Sequence, residues 1–293
     1  MPSSKAARYP EKLYKFCAFS PRSLDLLNRE RIYYSDPTTF NDPLDCNPVI
    51  NDDLPTRDLV QLCLVWTKAE HADVPIGSPL VHDEGREVDG TADAFYRRDL
   101  TNDLTRLLRD ELGASGVLSL TARWDSPLMW SHYADQHRGV CIEYDTTWGN
   151  HTNLRRVNYN TPRSISAADL LDWKVHGSAE AEARVREAYF FAKALDWSYE
   201  EEWRYIHEKH GVDHATLKVT GVYFGLRCLP IVRSIFMSVL PRETTFREVY
   251  AKRESFDLDS RWLDRSEEIS MAQATSAYLD FADQINAAKR NID

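Results

Sequence analysis

The sequence predicts an α+β fold: one domain with mixed and antiparallel central sheets flanked by helices. Three observations lead there. Short apolar runs with strand character, such as Ile32–Ser35, Gly116–Leu120, Gly139–Tyr144 and Val222–Gly225, recur along the chain. Segments with helical spacing lie between them. No internal repeat and no linker divides the 293 residues, of which 43% are hydrophobic and 33 are Phe, Trp or Tyr, enough for a sizeable core. The reading is one domain over 12–262, with a C-terminal helix over 263–293 packed on it.

Leu13–Phe16 reads as the first strand. Ser20 before Pro21 is a helix start, a side-chain cap followed by a proline at the first helical position, with Leu24, Leu26 and Leu27 as the apolar face. Ile32–Ser35 is the second strand, ended by Asp36-Pro37. The loop from Thr38 to Pro48 carries turn signals at Asn41-Asp42-Pro43 and Asn47-Pro48. Leu59–Trp66 is apolar enough for a buried helix or a buried strand, and residues 67–92 read as a long surface loop. Phe95, Leu100, Leu104, Leu107, Leu108 and Leu112 restore a helical spacing that ends at Gly113. A strand at Gly116–Leu120, a short helix over Pro127–Ala134 and a strand at Gly139–Tyr144 follow, with a further short strand at Val157–Tyr159. A helix from about Ala179 to Leu195 has an acidic start and a late lysine, Lys193, suited to its dipole. Tyr199–Ile206 reads as a strand, Val222–Gly225 as another, and Ile231–Leu240 as a helix. The tail from Asp264 places Ile269, Ala272, Leu279 and Ile285 on one helical face.

Composition narrows the function classes. No run approaches the roughly 20 apolar residues of a membrane span, and no apolar segment behind Met1–Lys5 suits a secretion signal. Five widely spaced cysteines without a Cys-x-x-Cys pair argue for buried, reduced thiols and a cytoplasmic address. The 36 basic against 46 acidic residues give a net charge of −10, so nucleic-acid contact is expected to be local. Eleven glycines, with no phosphate-cradling glycine loop, argue against a Rossmann site.

Three clusters carry chemistry. Asn41 and Asp42 form either a rigid turn or polar contacts presented into a cleft. Trp130 and Tyr133, three apart on a helix, are either core or a stacking wall for a planar ring, while His132 and His137 are five apart and poorly spaced as two metal ligands. In a strand, Glu200, Glu202 and Arg204 share one face; that face is either solvated or buried for use, because charges are costly to bury.

Together Leu13–Phe16, Ile32–Ser35, Phe40–Pro43, Met129–Ala134 with His137 and Gly139, Tyr199-Glu200-x-Glu202-Trp203-Arg204, and Phe224-Gly225 resemble the bacterial domain of unknown function 2971, over about 12–240. A second resemblance is to ADP-ribosyltransferases, in the order of a basic residue on the first strand (Lys15 here, His or Arg there), an aromatic or Ser on the second, and Glu200-x-Glu202 late in the chain. That resemblance implies an ADP-ribosyltransferase-like fold and NAD as substrate. It makes Glu202 the catalytic carboxylate and Glu200 the residue orienting acceptor or ribose. It puts Lys15 on the dinucleotide, with Tyr14, Tyr34, Ser35, Asn41, Asp42, Trp130, Tyr133 and Arg204 around the cleft. It further implies a toxin or phage-defence effector acting on a protein or nucleic-acid acceptor, with a neutralising antitoxin as a possible partner. A non-catalytic binding module and a metal-dependent hydrolase or nuclease are the competing classes.

Overall fold

A computed structural model describes residues 9–70, 90–147, 151–271 and 273–274. Its order is β1 (Lys12–Cys17), α1 (Pro21–Asn28), β2 (Arg31–Tyr34), a 3-10 turn (Pro37–Thr39), β3 (Val49–Asn51), α2 (Thr56–Glu70), α3 (Gly90–Gly113), β4 (Gly116–Thr121), α4 (Pro127–Tyr133), β5 (Val140–Asp145), β6 (Leu154–Arg156), β7 (Ser164–Ser166), α5 (Ala167–Lys174), α6 (Ala179–Phe191), a second 3-10 turn (Leu195–Glu200), β8 (Glu202–His207), β9 (Gly211–His214), β10 (Lys218–Phe224), α7 (Pro230–Val239), β11 (Thr245–Ala251) and β12 (Leu258–Trp262). The fold is mixed α+β. Eight strands form one sheet in the order β12-β11-β10-β5-β1-β4-β8-β6, and β2–β9 and β3–β7 form two small sheets. Within the large sheet β10 and β11 are parallel, joined across α7, and the other pairs are antiparallel.

Local sequence accounts for much of this. Ser20 caps α1 by accepting from the Ser23 N–H at 3.0 Å, and Asp36 caps the following turn through the Thr38 N–H at 2.8 Å. The alternation Leu13, Tyr14, Lys15, Phe16 sends successive side chains to opposite faces of the sheet. On one face Leu13, Leu118, Leu120, Ile142, Val222 and Phe224 pack against α1 and α7. On the other face two cores stand apart. One joins α2, α3, α5 and α6 to Val117 and Ile206 of β4 and β8. The other joins Met129 and Trp130 of α4 to Tyr14, Phe16, Cys141 and Tyr223.

The sheet is thinnest between these cores. β1 and β4 share a single register pair, Tyr14 with Thr121, whereas β1 pairs with β5 along its whole length. After α4 the backbone turns through three consecutive left-handed residues, Asp135, Gln136 and His137, at φ 46°, 53° and 69°. This turn delivers Gly139 so close to the Cys17 carbonyl that a Cβ there would lie 2.2 Å from the oxygen.

Of the two readings open for Leu59–Trp66 the structure shows the helix: the segment lies inside α2, with Leu59, Leu62, Cys63 and Trp66 buried at helical spacing. Several other elements differ from the sequence reading. The helix expected to reach Leu195 stops at Phe191, because Ala192 turns extended and its neighbour Asn158 bridges to it. Residues 157–159 therefore form a bridge instead of a strand, with the strand itself at Leu154–Arg156. Tyr199–Glu201 is not strand either: Glu200 ends a 3-10 turn, Glu201 is left-handed at φ 45°, and β8 begins at Glu202. Ile269 packs on the core under α7, in a helical stretch over 265–271; Ala272, Leu279 and Ile285, and residues 71–89 of the expected loop, lie outside the described residues.

Candidate functional site

Between the two cores lies a cleft of about 190 Å³, lined by Tyr14, Lys15 and Phe16 of β1, Ser119–Thr121 of β4, Phe40, Asn41 and Asp45 of the proline-rich loop, Met129 and Tyr133 of α4, and Lys193, Glu200, Glu202 and Arg204. Register explains the first contributions. Thr121 pairs with both Tyr14 and Glu202, and Ser119 with Arg204, so all project from the same face where β1 and β4 part.

The floor is an ion cluster. Arg204 is fully buried and is held by Asp45 through two bonds of 2.9 and 2.6 Å, by Glu202 through two of 2.8 and 3.0 Å, and by the Phe190 carbonyl at 2.7 Å. This matches the planar fork of a guanidinium to two carboxylates. Lys193 Nζ donates to Glu200 at 2.5 Å and Glu202 at 2.8 Å, and lies 3.6 Å from Asp45. Tyr133 donates to the other oxygen of Glu200 at 2.6 Å. Three carboxylates thus face two cations, and a buried surplus charge is costly.

The cluster shifts its two glutamates in opposite directions. Burial works against the Glu202 charge, but Arg204 and then Lys193 outweigh it and hold the carboxyl down at about 2. Burial raises Glu200 above the ordinary carboxylate range; Lys193 opposes the rise and the Glu202 charge adds to it. Glu202 is therefore the ionised member at neutral pH, and Glu200 the one ready to take up a proton. Glu202 Oε1 accepts one bond, from Arg204 Nε, which leaves it an acceptor position for a ligand hydroxyl.

Lys15 stands where the strands part, with Nζ 3.5 Å from the Ser119 carbonyl. Burial lowers its ammonium below the usual lysine range despite the nearby Glu202.

The structure brings Tyr14, Lys15, Asn41, Tyr133, Glu200, Glu202 and Arg204 together in the cleft. It places four expected residues elsewhere. Tyr34 is buried on the opposite side, stacked on His207 with centroids 4.3 Å apart and bonded to Thr216. Ser35 pairs its backbone with Val117. Asp42 latches the loop, accepting from the Leu44 N–H and from Trp197 Nε1 at 2.8 Å. Trp130 is core, donating to the Trp124 carbonyl and stacked with His137. Two cluster members escaped the sequence reading. Asp45 sits three residues beyond the Asp42 turn that orients it, and Lys193 lay inside the helix predicted to continue past it. The signal for an acid such as Asp45 was Arg204, a strand cation that needs carboxylates to be buried, and the signal for Lys193 was the Glu200 and Glu202 pair, which needs a second cation. Among the described residues no group of three or more His, Cys, Asp or Glu is arranged to hold a metal ion, and no helix is long and apolar enough to cross a membrane.

No curated protein and no solved structure matches the chain. Residues 129–205 match the model of a family described as protein of unknown function (DUF2971), a shorter span than the resemblance over 12–240, and this match supports the family for the segment that carries Tyr133, Lys193, Glu200, Glu202 and Arg204.

Proposed function

We propose that the cleft is the active site of an NAD-dependent ADP-ribosyltransferase. The observation that carries the reading is an ionised Glu202, fixed by Arg204 and Lys193, at the floor of a cleft whose walls include Tyr14, Phe16, Phe40 and Tyr133. In such a reaction the bond between ribose C1′ and nicotinamide breaks, and nicotinamide leaves with the electron pair. Glu202 stabilises the positive charge that develops on the ribose and takes a ribose hydroxyl on its remaining acceptor position. The acceptor attacks C1′ and releases its proton to Glu200, whose raised pKa suits a base. Aromatic walls stack the departing ring. At about 190 Å³ the cleft is below the ~300 Å³ at which pockets for whole drug-sized ligands begin, so it suits the ring and its sugar, not the entire dinucleotide.

The test is incubation of the purified chain with labelled NAD and a bacterial lysate beside Glu202→Gln, which keeps an acceptor for Arg204 and removes the charge. The wild type is expected to release nicotinamide and label a protein or RNA, with the variant slower by at least about 100-fold. Expression in bacterial cells is expected to be harmful and the variant harmless. A wild type that leaves NAD intact, or a folded variant that turns over at the same rate, would overturn the proposal.

A further inference from the structure

The large sheet ends on β6 and on β12, and the two edges differ in character. β6 carries Arg155 and Arg156 side by side. An antiparallel copy centred on Arg155 would set that arginine against itself, and like charges directly opposite repel. β12, Leu258–Trp262, pairs with β11 alone among the described residues. Lys252 N–H donates to the Asp257 carbonyl and Leu263 N–H to the Phe246 carbonyl, both at 3.0 Å, which fixes the alternation along the pair. Asp257, Asp259, Arg261 and Leu263 therefore turn their main-chain groups to β11, and Leu258, Ser260 and Trp262 turn theirs to the open side.

The sequence of β12, Leu-Asp-Ser-Arg-Trp, is complementary to itself. In an antiparallel pair of copies centred on Ser260, that serine faces its own copy, Leu258 faces the partner's Trp262, and Asp259 faces the partner's Arg261. Ser260, Leu258 and Trp262 take the hydrogen-bonded positions. The opposite charges take the other positions, where facing side chains approach closest. Charge continues the pattern inward. Glu248 accepts from Arg261 Nε at 2.8 Å and from Arg233 at 2.5 Å, so the partner's Asp259 completes a ladder of alternating sign. In the single chain Ser260 N–H donates to Asp259 Oδ1, its own neighbour, at 2.7 Å. A carbonyl from a second strand would take over that donor and release the carboxylate to an arginine across the axis. Apolar surface lies beside the edge, with Trp262 61% and Phe256 97% exposed.

We infer that β12 is a dimer edge: two copies of this chain pair their β12 strands antiparallel about a two-fold axis at Ser260, joining two eight-stranded sheets into one. The register is specific. Centring the pair one residue earlier sets Asp259 against itself, and one residue later sets Arg261 against itself. Only the Ser260 register gives each charge its opposite and keeps the outward main-chain groups in line. The contact lies at the end of the sheet away from β4 and β8, so it does not depend on what the cleft takes.

The experiment is sedimentation equilibrium on the full chain. The wild type is expected at twice the chain mass at about 100 μM, a concentration that fills a dimer of micromolar Kd. Ser260→Pro removes an N–H that faces outward and none that faces β11. It is expected to keep its circular dichroism spectrum and to weaken the dimer at least about tenfold. Asp259→Arg and Arg261→Asp each set like charges across the axis, and each is expected to be monomeric alone. Mixed together they face opposite charges again and are expected to form a mixed dimer. A wild type that stays monomeric overturns the inference and leaves the edge to some other strand. So does a dimer that Ser260→Pro leaves unchanged, or a mixture of the two charge variants no more associated than either alone.

Discussion

Replacing Arg204 by Met tests the ion cluster most directly. Methionine fills much of the guanidinium's volume, so the loss is chiefly electrostatic. The substitution strands Asp45 and Glu202, both buried, with only Lys193 to serve three carboxylates. Breaking a buried pair by removing one partner costs about 3–5 kcal/mol, which for a chain of this size lowers the melting temperature by roughly 6–20 °C. The pH dependence makes the test sharper. In the wild type, Glu202 has its folded pKa depressed from 4.5 to about 2. Its contribution is fully present above pH 4.5 and is lost as pH falls through about 2; a 2.5-unit depression corresponds to about 3 kcal/mol. Glu200 acts in the opposite sense. Its raised pKa means that it gives up stability as pH climbs above its unfolded value. Without Arg204, Glu202 accepts a proton in the folded state at higher pH, so the penalty of Arg204→Met shrinks between pH 7 and pH 4. Urea unfolding followed by circular dichroism at both values measures this. A loss below ~1 kcal/mol at pH 7, or one that stays constant down to pH 4, would refute the electrostatic account.

Two further perturbations probe the supports of the cleft. Gly139→Ala forces a methyl against the Cys17 carbonyl and close to the Ala134 backbone, neither of which can yield as a side chain tip does; a loss of ~2 kcal/mol or more is expected, and a melting temperature equal to wild type would contradict the packing described. Tyr133→Phe removes the hydroxyl bonded to Glu200 and is expected to cost ~1 kcal/mol while moving the acidic limb of the proposed NAD turnover profile to higher pH, since a hydrogen bond that favours the Glu200 carboxylate is lost; an unaltered profile would show that Glu200 does not titrate in the reaction.

The local parts of the fold were legible and the distant ones were not. Ser20-Pro21 announced α1 because its cap lies within three residues, and Gly116–Leu120 announced β4 because Val117, Leu118 and Leu120 make a short apolar run directly after a glycine. β3, β7 and β9 were invisible: each is only three or four residues long and exists through pairing with a segment more than a hundred residues away. The site divides in the same way. Glu200, Glu202 and Arg204 could be grouped from their spacing even though the strand assumed for Glu200 is a 3-10 turn, because the Glu201 reversal still sends both carboxylates toward Lys193. Spacing alone left Trp130 open between core and cleft wall, and the resemblance put it and Tyr34 at the cleft; both are core, because an aromatic beside a polar residue looks the same in either place. Asp45 was beyond reach because its partner is named only by the fold.

That partner lies 159 positions along the chain from Asp45. During synthesis the loop that carries Asp45 exists for most of the chain's growth with no cation to receive it, since Lys193 and Arg204 both come late. The Asx turns at Asp42 can pre-form the loop, but the cleft closes only on a contact of high sequence separation, the slow kind to make. Fragments ending before residue 204 therefore hold an unfinished site. For this protein the floor of the cleft is complete only when segments 159 positions apart have met.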